Sequence, residues 1–185
     1  MAKHIFHEII GNVFKEILNN STDLYLDPAC GGEHRLPFYI SVNANRSTCV
    51  SNVDLILVKD EIVKLVCEIE ESGFIPTKIY GKVFSTASAL LCKLKGIKRF
   101  DVDKKGIFLH IISKNNIDKN LVNGKNTNKF NQFIWVEESI QDILIRANLW
   151  IKEYYLIFGD ENYFKNGEKG YNDLQKIINI IYYNQ

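Results

Sequence analysis

VDLILVKDEIVKLVCEIE, residues 53–70, joins two runs of β-branched and large apolar residues through the polar tripeptide Lys59-Asp60-Glu61. This is the pattern of a β-hairpin, with strands expected over 53–58 and 62–70. Strand side chains alternate between faces, so Glu68 and Glu70 point one way while Val63, Leu65, Cys67 and Ile69 point the other. A turn over Lys59 to Val63 pairs position 58 with 64 and sets 54 opposite 68, where cross-strand Cβ atoms lie about 4.5–5.5 Å apart. Asp54 and Glu68 are therefore expected side by side.

Toward the N-terminus, Phe6, Ile9, Ile10, Val13, Ile17 and Leu18 recur at helical spacing, and Asn19-Asn20-Ser21 closes that amphipathic helix. The segment DPACGGEHR (27–35) reads as a loop and Leu36 to Val42 as a short strand. Toward the C-terminus, Pro76 opens a helix whose buried stripe is Ile79, Val83, Ala87, Leu90 and Leu94, with Gly96 as its stop. IFLHII (107–112) and FIWV (133–136) read as strands, with a long polar loop over 114–129 between them. A helix is expected from Ser139 through Ile157, and another over Tyr171 to Tyr183. The 185 residues suit a single domain, an α/β (α+β) fold with a central mixed β-sheet flanked by helices; its core spans about 4–112 and its C-terminal helical part about 139–185.

Carboxylates crowded against strands this apolar repel one another unless a cation or a proton neutralises them. Oxygen donors of this type suit a hard divalent ion, Mg2+ above all, with Mn2+ as a substitute. Such an ion keeps several waters and meets substrate phosphates, which outlines a phosphodiester-cleaving site. The helix after Pro76 brings Lys78 and Lys82 toward the same place.

Asp54 early on one strand, Glu68-Ile69-Glu70 on the next, and a helix carrying Lys78 and Lys82 within CEIEESGFIPTKIYGKV (67–83) resemble the PD-(D/E)XK nuclease superfamily of type II restriction enzymes. The resemblance covers about residues 4–112. It implies a restriction-endonuclease-like fold, with metal bound by Asp54, Glu68 and the backbone carbonyl of Ile69. Val53 stands where the motif name has Pro, and Glu70 where Lys is usual. The resemblance makes Asp54, Glu68, Glu70 and Lys78 the catalytic set, with the usual Lys role falling either to Glu70 itself or to Lys78, which is set ahead of Lys82. A further acid from the first helix is common in that family, which singles out Glu8 and then Glu16. The activity implied is Mg2+-dependent endonucleolytic cleavage of double-stranded DNA by a homodimer, each copy serving one strand of a palindromic site. A repair or junction-resolving nuclease of the same fold, or an inactive nuclease-like DNA-binding module, are the alternatives.

Net charge is only +1, but residues 72–105 carry eight Lys and Arg against two Asp, so a basic stretch is available to phosphates while the remainder is acidic. Cys30, Cys49, Cys67 and Cys92 form no paired motif and are expected as free buried thiols. His4 and His7, three apart, are expected at a surface helix end. The N-terminus has no signal-like apolar run and no segment reaches membrane-span length, so the chain is expected in the cytoplasm.

Overall fold

The computed structural model describes residues 4–19, 21, 23–71, 74–94, 96, 98–114 and 127–183, the side chains of 127–131 and 183 excepted. In chain order the elements are helix α1 (Ile5–Ile17), strands β1 (Leu24–Leu26), β2 (Leu36–Tyr39), β3 (Cys49–Val53), β4 (Leu55–Lys59) and β5 (Ile62–Glu70), helix α2 (Pro76–Ala87), strands β6 (Leu91–Lys93) and β7 (Arg99–Ser113), helix α3 (Thr127–Ala147), strand β8 (Ile151–Gly159) and helix α4 (Lys169–Tyr183). The eight strands form one mixed sheet, in the order β1-β4-β5-β7-β6-β2-β3, with β8 also on β7. The long β7 thus has two partners on one side: β6 along its first residues and β8 from Gly106 to Ser113.

The hairpin forms with a two-residue turn. Asp60 and Glu61 both hold positive φ (54° and 63°), the conformation that lets a tight turn match the twist of its strands. From Leu57↔Leu65 to Leu55↔Cys67 the register is the expected one, but Val58 pairs with Val63, not Lys64. Lys64 is a bulge residue against β4, while on its other side β7 is the irregular strand, with residues 103–106 between its pairings to Val63 and Leu65. The bulge switches Val63 to the face of Val66, against the expected alternation with Leu65, Cys67 and Ile69. It also leaves the Lys64 amine 2.8 Å from Asp103.

Helices cover both faces of the sheet. Val66, Phe108 and Ile112 pack with Ile79 and Val83 of α2 and with Val136, Ile140 and Leu144 of α3. Leu65, Cys67, Leu109 and Ile111 pack on the other face with Phe6, Ile10 and Phe14 of α1 and Leu174 and Ile178 of α4. Alternate residues of β5 and β7 therefore feed two separate cores, each buried Leu or Ile contributing about 1.5–3 kcal/mol. α1 seats closely because Gly11 meets the carbonyl of Cys30, which lies only 2.2 Å from where a Cβ would stand.

Three expectations are corrected. The helix after Pro76 ends at Ala87, and Leu91–Lys93 is strand β6, because Cys92 pairs with Phe38 of β2; Leu90 is exposed rather than part of a buried stripe. FIWV lies within α3, where Phe133, Val136, Ile140 and Leu144 keep helical spacing; the local apolar run concealed that longer period. The helix expected through Ile157 stops at Ala147, with Asn148 left-handed (φ 49°), and Ile151–Gly159 becomes β8, parallel to β7. The C-terminal part is therefore not wholly helical. Of the polar stretch 114–129, residues 115–126 lie outside the described residues, and Thr127 already belongs to α3. No helix among the described residues is long and apolar enough to cross a membrane. Cys30, Cys67 and Cys92 are free and buried, and Cys49 is free and half-buried.

Candidate active site

The hairpin, α2 and the start of α1 meet at the C-terminal end of β5. There a cleft of about 520 Å³ is lined by His4, His7, Asp54, Glu68, Ile69, Glu70, Glu71, Lys78 and Lys82. Asp54 occupies the single residue between β3 and β4. Its backbone N–H donates to the Cys67 carbonyl (3.2 Å), so Asp54 and Leu55 both stand opposite Cys67 and the expected 54–68 backbone pairing is displaced by one residue, although the Asp54 carboxylate still neighbours that of Glu68. The side chain turns to the neighbouring residue, and Asp54 Oδ2 accepts the Ile69 N–H at 2.8 Å.

Glu68 and Glu70 are 2% and 5% exposed. Each meets one lysine of α2, where residues four apart lie on one helical face. Lys82 donates to both oxygens of Glu68 (2.9 and 3.1 Å) and to the carbonyl of Asn52 (3.2 Å). Lys78 donates to Glu70 Oε2 at 2.5 Å. Lys82, and not Lys78, is thus the amine at the Asp54–Glu68 pair, while Lys78 stands against Glu70.

Burial and the adjacent Asp54 carboxylate push the Glu68 carboxyl up to about 8, against the opposing pull of Lys82. Burial also acts to raise the Asp54 carboxyl, but His7, the Ile69 N–H and Lys82 outweigh it and hold it below its ordinary value. Of two adjacent buried acids, one is held charged and the other takes a proton readily, the separation expected when like charges share a low-dielectric site. The Lys82 amine is raised, its burial outweighed by Glu68 and Asp54.

The residue of α1 that enters the cleft is His7. Glu8 is exposed. Glu16 is also exposed, and engages Asn166 and Tyr171. His7 is 9% exposed and not at the surface as expected. Its Nδ1 lies 2.9 Å from Glu71 Oε1, which also accepts the His7 N–H, and its Nε2 lies 3.6 Å from Asp54 Oδ2. Burial disfavours the imidazolium, but Asp54 and Glu71 prevail and raise its pKa to about 9. The signal available in the sequence was register: His7 sits one turn before Ile10 and next to Phe6, on the apolar side, whereas Glu8 faces out.

The acids of the cleft do not gather as one three-acid cluster. Among the described residues, the group of three ligand-bearing side chains whose atoms lie within 4.8 Å of one another is His4, His7 and Glu71. The basic stretch is likewise dispersed. Lys98 pairs with Glu61 and Arg99 with Asp101, at the start of β5 and β7. Ile62, the partner of Asp101, is six residues from Glu68, or roughly 20 Å along the strand. Lys78 and Lys82 are the basic residues that line the cleft.

Comparison of the chain with protein-family models, curated proteins and solved structures returned no match.

Proposed function

We propose that this protein is a metal-dependent endonuclease acting on double-stranded DNA, with a restriction-endonuclease-like core. The observation that carries the proposal is the buried Asp54–Glu68 pair at the end of β5, with the Lys82 amine on Glu68. Two further features support it. Strands β1, β4 and β5 lie side by side and antiparallel, with β2 and β3 between β1 and β4 in sequence, and β7 lies parallel to β5 after α2 and β6. Helix α1 covers one face of these strands and α2 the other, which agrees with a mixed sheet flanked by helices.

The donor set suits Mg2+, because Asp54 and Glu68 present carboxylate oxygens and Glu68 takes up a proton in their mutual company, as an acid does where positive charge is in short supply. Asp54, Glu68 and the Ile69 carbonyl would hold the ion, which when bound supplies Lewis-acid polarisation of a phosphate and acidifies a water. The chain's own groups do the remainder. Lys82 is the cation available to a nonbridging phosphate oxygen as charge builds on it. Glu70 or Lys78, fixed against each other, orients the attacking water. His7 holds the Asp54 carboxylate in place from the α1 side.

Cutting both strands of a duplex calls for two such sites, and a homodimer with two-fold symmetry is the arrangement proposed. The pairing of each glutamate with a lysine is also what a binding module that does not cut would keep.

Incubation of supercoiled plasmid with the protein and Mg2+ tests the proposal. Discrete fragments are expected, and their loss in Asp54→Ala and Glu68→Ala. Structure-dependent nicking would point to a junction or repair nuclease, and retention without cleavage to a binding module. Undiminished cleavage by either variant would overturn the assignment of the site.

A further inference from the structure

The rim of the cleft holds a second group of ligand atoms that differs in chemistry from the acids. His4 is the residue that precedes α1 and His7 lies three positions on, so the two rings sit on one side of the first turn with centroids 5.2 Å apart. Glu71, just past the end of β5, brings a carboxylate to the same point, and one ligand atom from each of the three lies within 4.8 Å of the others.

We infer that His4, His7 and Glu71 bind a first-row transition-metal ion, Zn2+ or Co2+ rather than Mg2+, at the junction of α1 with the end of β5. Two features of geometry support this. His7 Nδ1 and Glu71 Oε1 stand 2.9 Å apart, about half an ångström less than the roughly 3.4 Å that separates tetrahedral ligands of an ion bound at about 2.1 Å. A cation between them takes the place of their hydrogen bond with little rearrangement. The other ring nitrogen, Nε2, then faces Asp54 Oδ2, which reproduces the carboxylate–histidine–metal arrangement that orients ligating imidazoles.

Ligand type sets the choice of metal. Imidazole favours Zn2+, Co2+ and Ni2+, whereas Mg2+ prefers oxygen donors and its own waters. An ion here ties the first turn of α1 to the strand that carries Glu68, and fixes the ring of His7 against Asp54.

The inference does not depend on DNA cleavage, and its test is read without it. Metal-free full-length protein is titrated with Co2+ in excess Mg2+, and the visible absorption of bound Co2+ is followed. Saturable absorption is expected from the native chain and from Glu68→Ala. His4→Ala is expected to weaken Co2+ binding at least about tenfold, in the range found when support of a bound metal is lost. His7→Ala should abolish the signal. Circular dichroism establishes that each variant is folded; if His7→Ala is not, the exposed His4 decides. No saturable signal from the native protein, binding by His4→Ala equal to the native chain, or loss of the signal in Glu68→Ala would each overturn the inference. A chain that binds Co2+ through His4 yet leaves plasmid intact would refute the nuclease proposal and leave this one standing.

Discussion

The two ends of the β5–β7 pair carry similar numbers of charged residues and make opposite use of them. At the start of the strands, Lys64 meets Asp103, Lys98 meets Glu61 and Arg99 meets Asp101, each cation with one acid, and most of these groups are open to water. At the end, Asp54, Glu68, Glu70 and Glu71 face Lys78, Lys82 and His7, with both strand glutamates almost fully buried. Asp103, although partly buried, is held below its ordinary value by Lys64 and by neighbouring backbone N–H groups. Glu68 has a lysine on both oxygens and is nonetheless raised to about 8, because burial and Asp54 outweigh that lysine. An ion pair alone does not make a reactive group; crowding of like charge out of water does.

Removal of the acids should give the widest separation between the two ends. Glu68→Gln is expected to lower Mg2+-dependent plasmid cleavage by about three orders of magnitude or more, as befits the loss of several kcal/mol of metal binding and transition-state stabilisation. Asp103→Asn should leave the rate unchanged within about a factor of two. Equal effects would erase the distinction. The lysines offer the next contrast. Lys82→Met is expected to cost about 10²–10³ in cleavage rate, the scale of losing one positioned charge in a dry site, and Lys64→Met close to nothing.

Packing and protonation give smaller effects. Gly11→Ala forces a methyl into the Cys30 carbonyl and should destabilise the fold by about 1–3 kcal/mol in urea titration, since α1 must move away from its seat. In metal-free buffer, the folded protein holds a proton on Glu68 that the unfolded chain releases above the ordinary carboxylate value of 4.5. That contribution is full below 4.5 and declines as pH rises toward about 8. His7 acts in the same direction: its proton stabilises the fold fully below 6.5, and the contribution is lost as pH rises through about 9. The melting temperature should therefore fall from pH 6 to pH 9, and Glu68→Gln should flatten the part of that fall below pH 8. A melting temperature that rises over this range would contradict the protonation assigned to the cleft. Smallest of all, Lys64→Met should change stability by about 0–1 kcal/mol, because its pair with Asp103 is partly exposed.

Where local pattern and tertiary demand agreed, residues alone sufficed. The hairpin of 55–70, its register from Leu55↔Cys67 to Leu57↔Leu65 and the amphipathic α1 follow from β-branched runs, a short polar turn and helical spacing, all of which act between near neighbours in sequence. β8 was not legible: IKEYYLIFG has apolar spacing that also continues a helix, and only the open side of β7 draws it into the sheet. Nor was β6, three residues long and held by Phe38 and Phe100.

For the cleft, the sequence by itself determined which acids and lysines share a strand face and a helix face, because the strand and helix periods fix that within each element. Three matters were decided only by the tertiary structure. Lys82 rather than Lys78 reaches Glu68, His7 rather than Glu8 enters from α1, and Glu68 rather than Asp54 takes the proton. Each depends on the angle and depth at which one element meets another, and on how much water the meeting expels. Those quantities arise from contacts such as Gly11 on Cys30, between segments that no local rule relates.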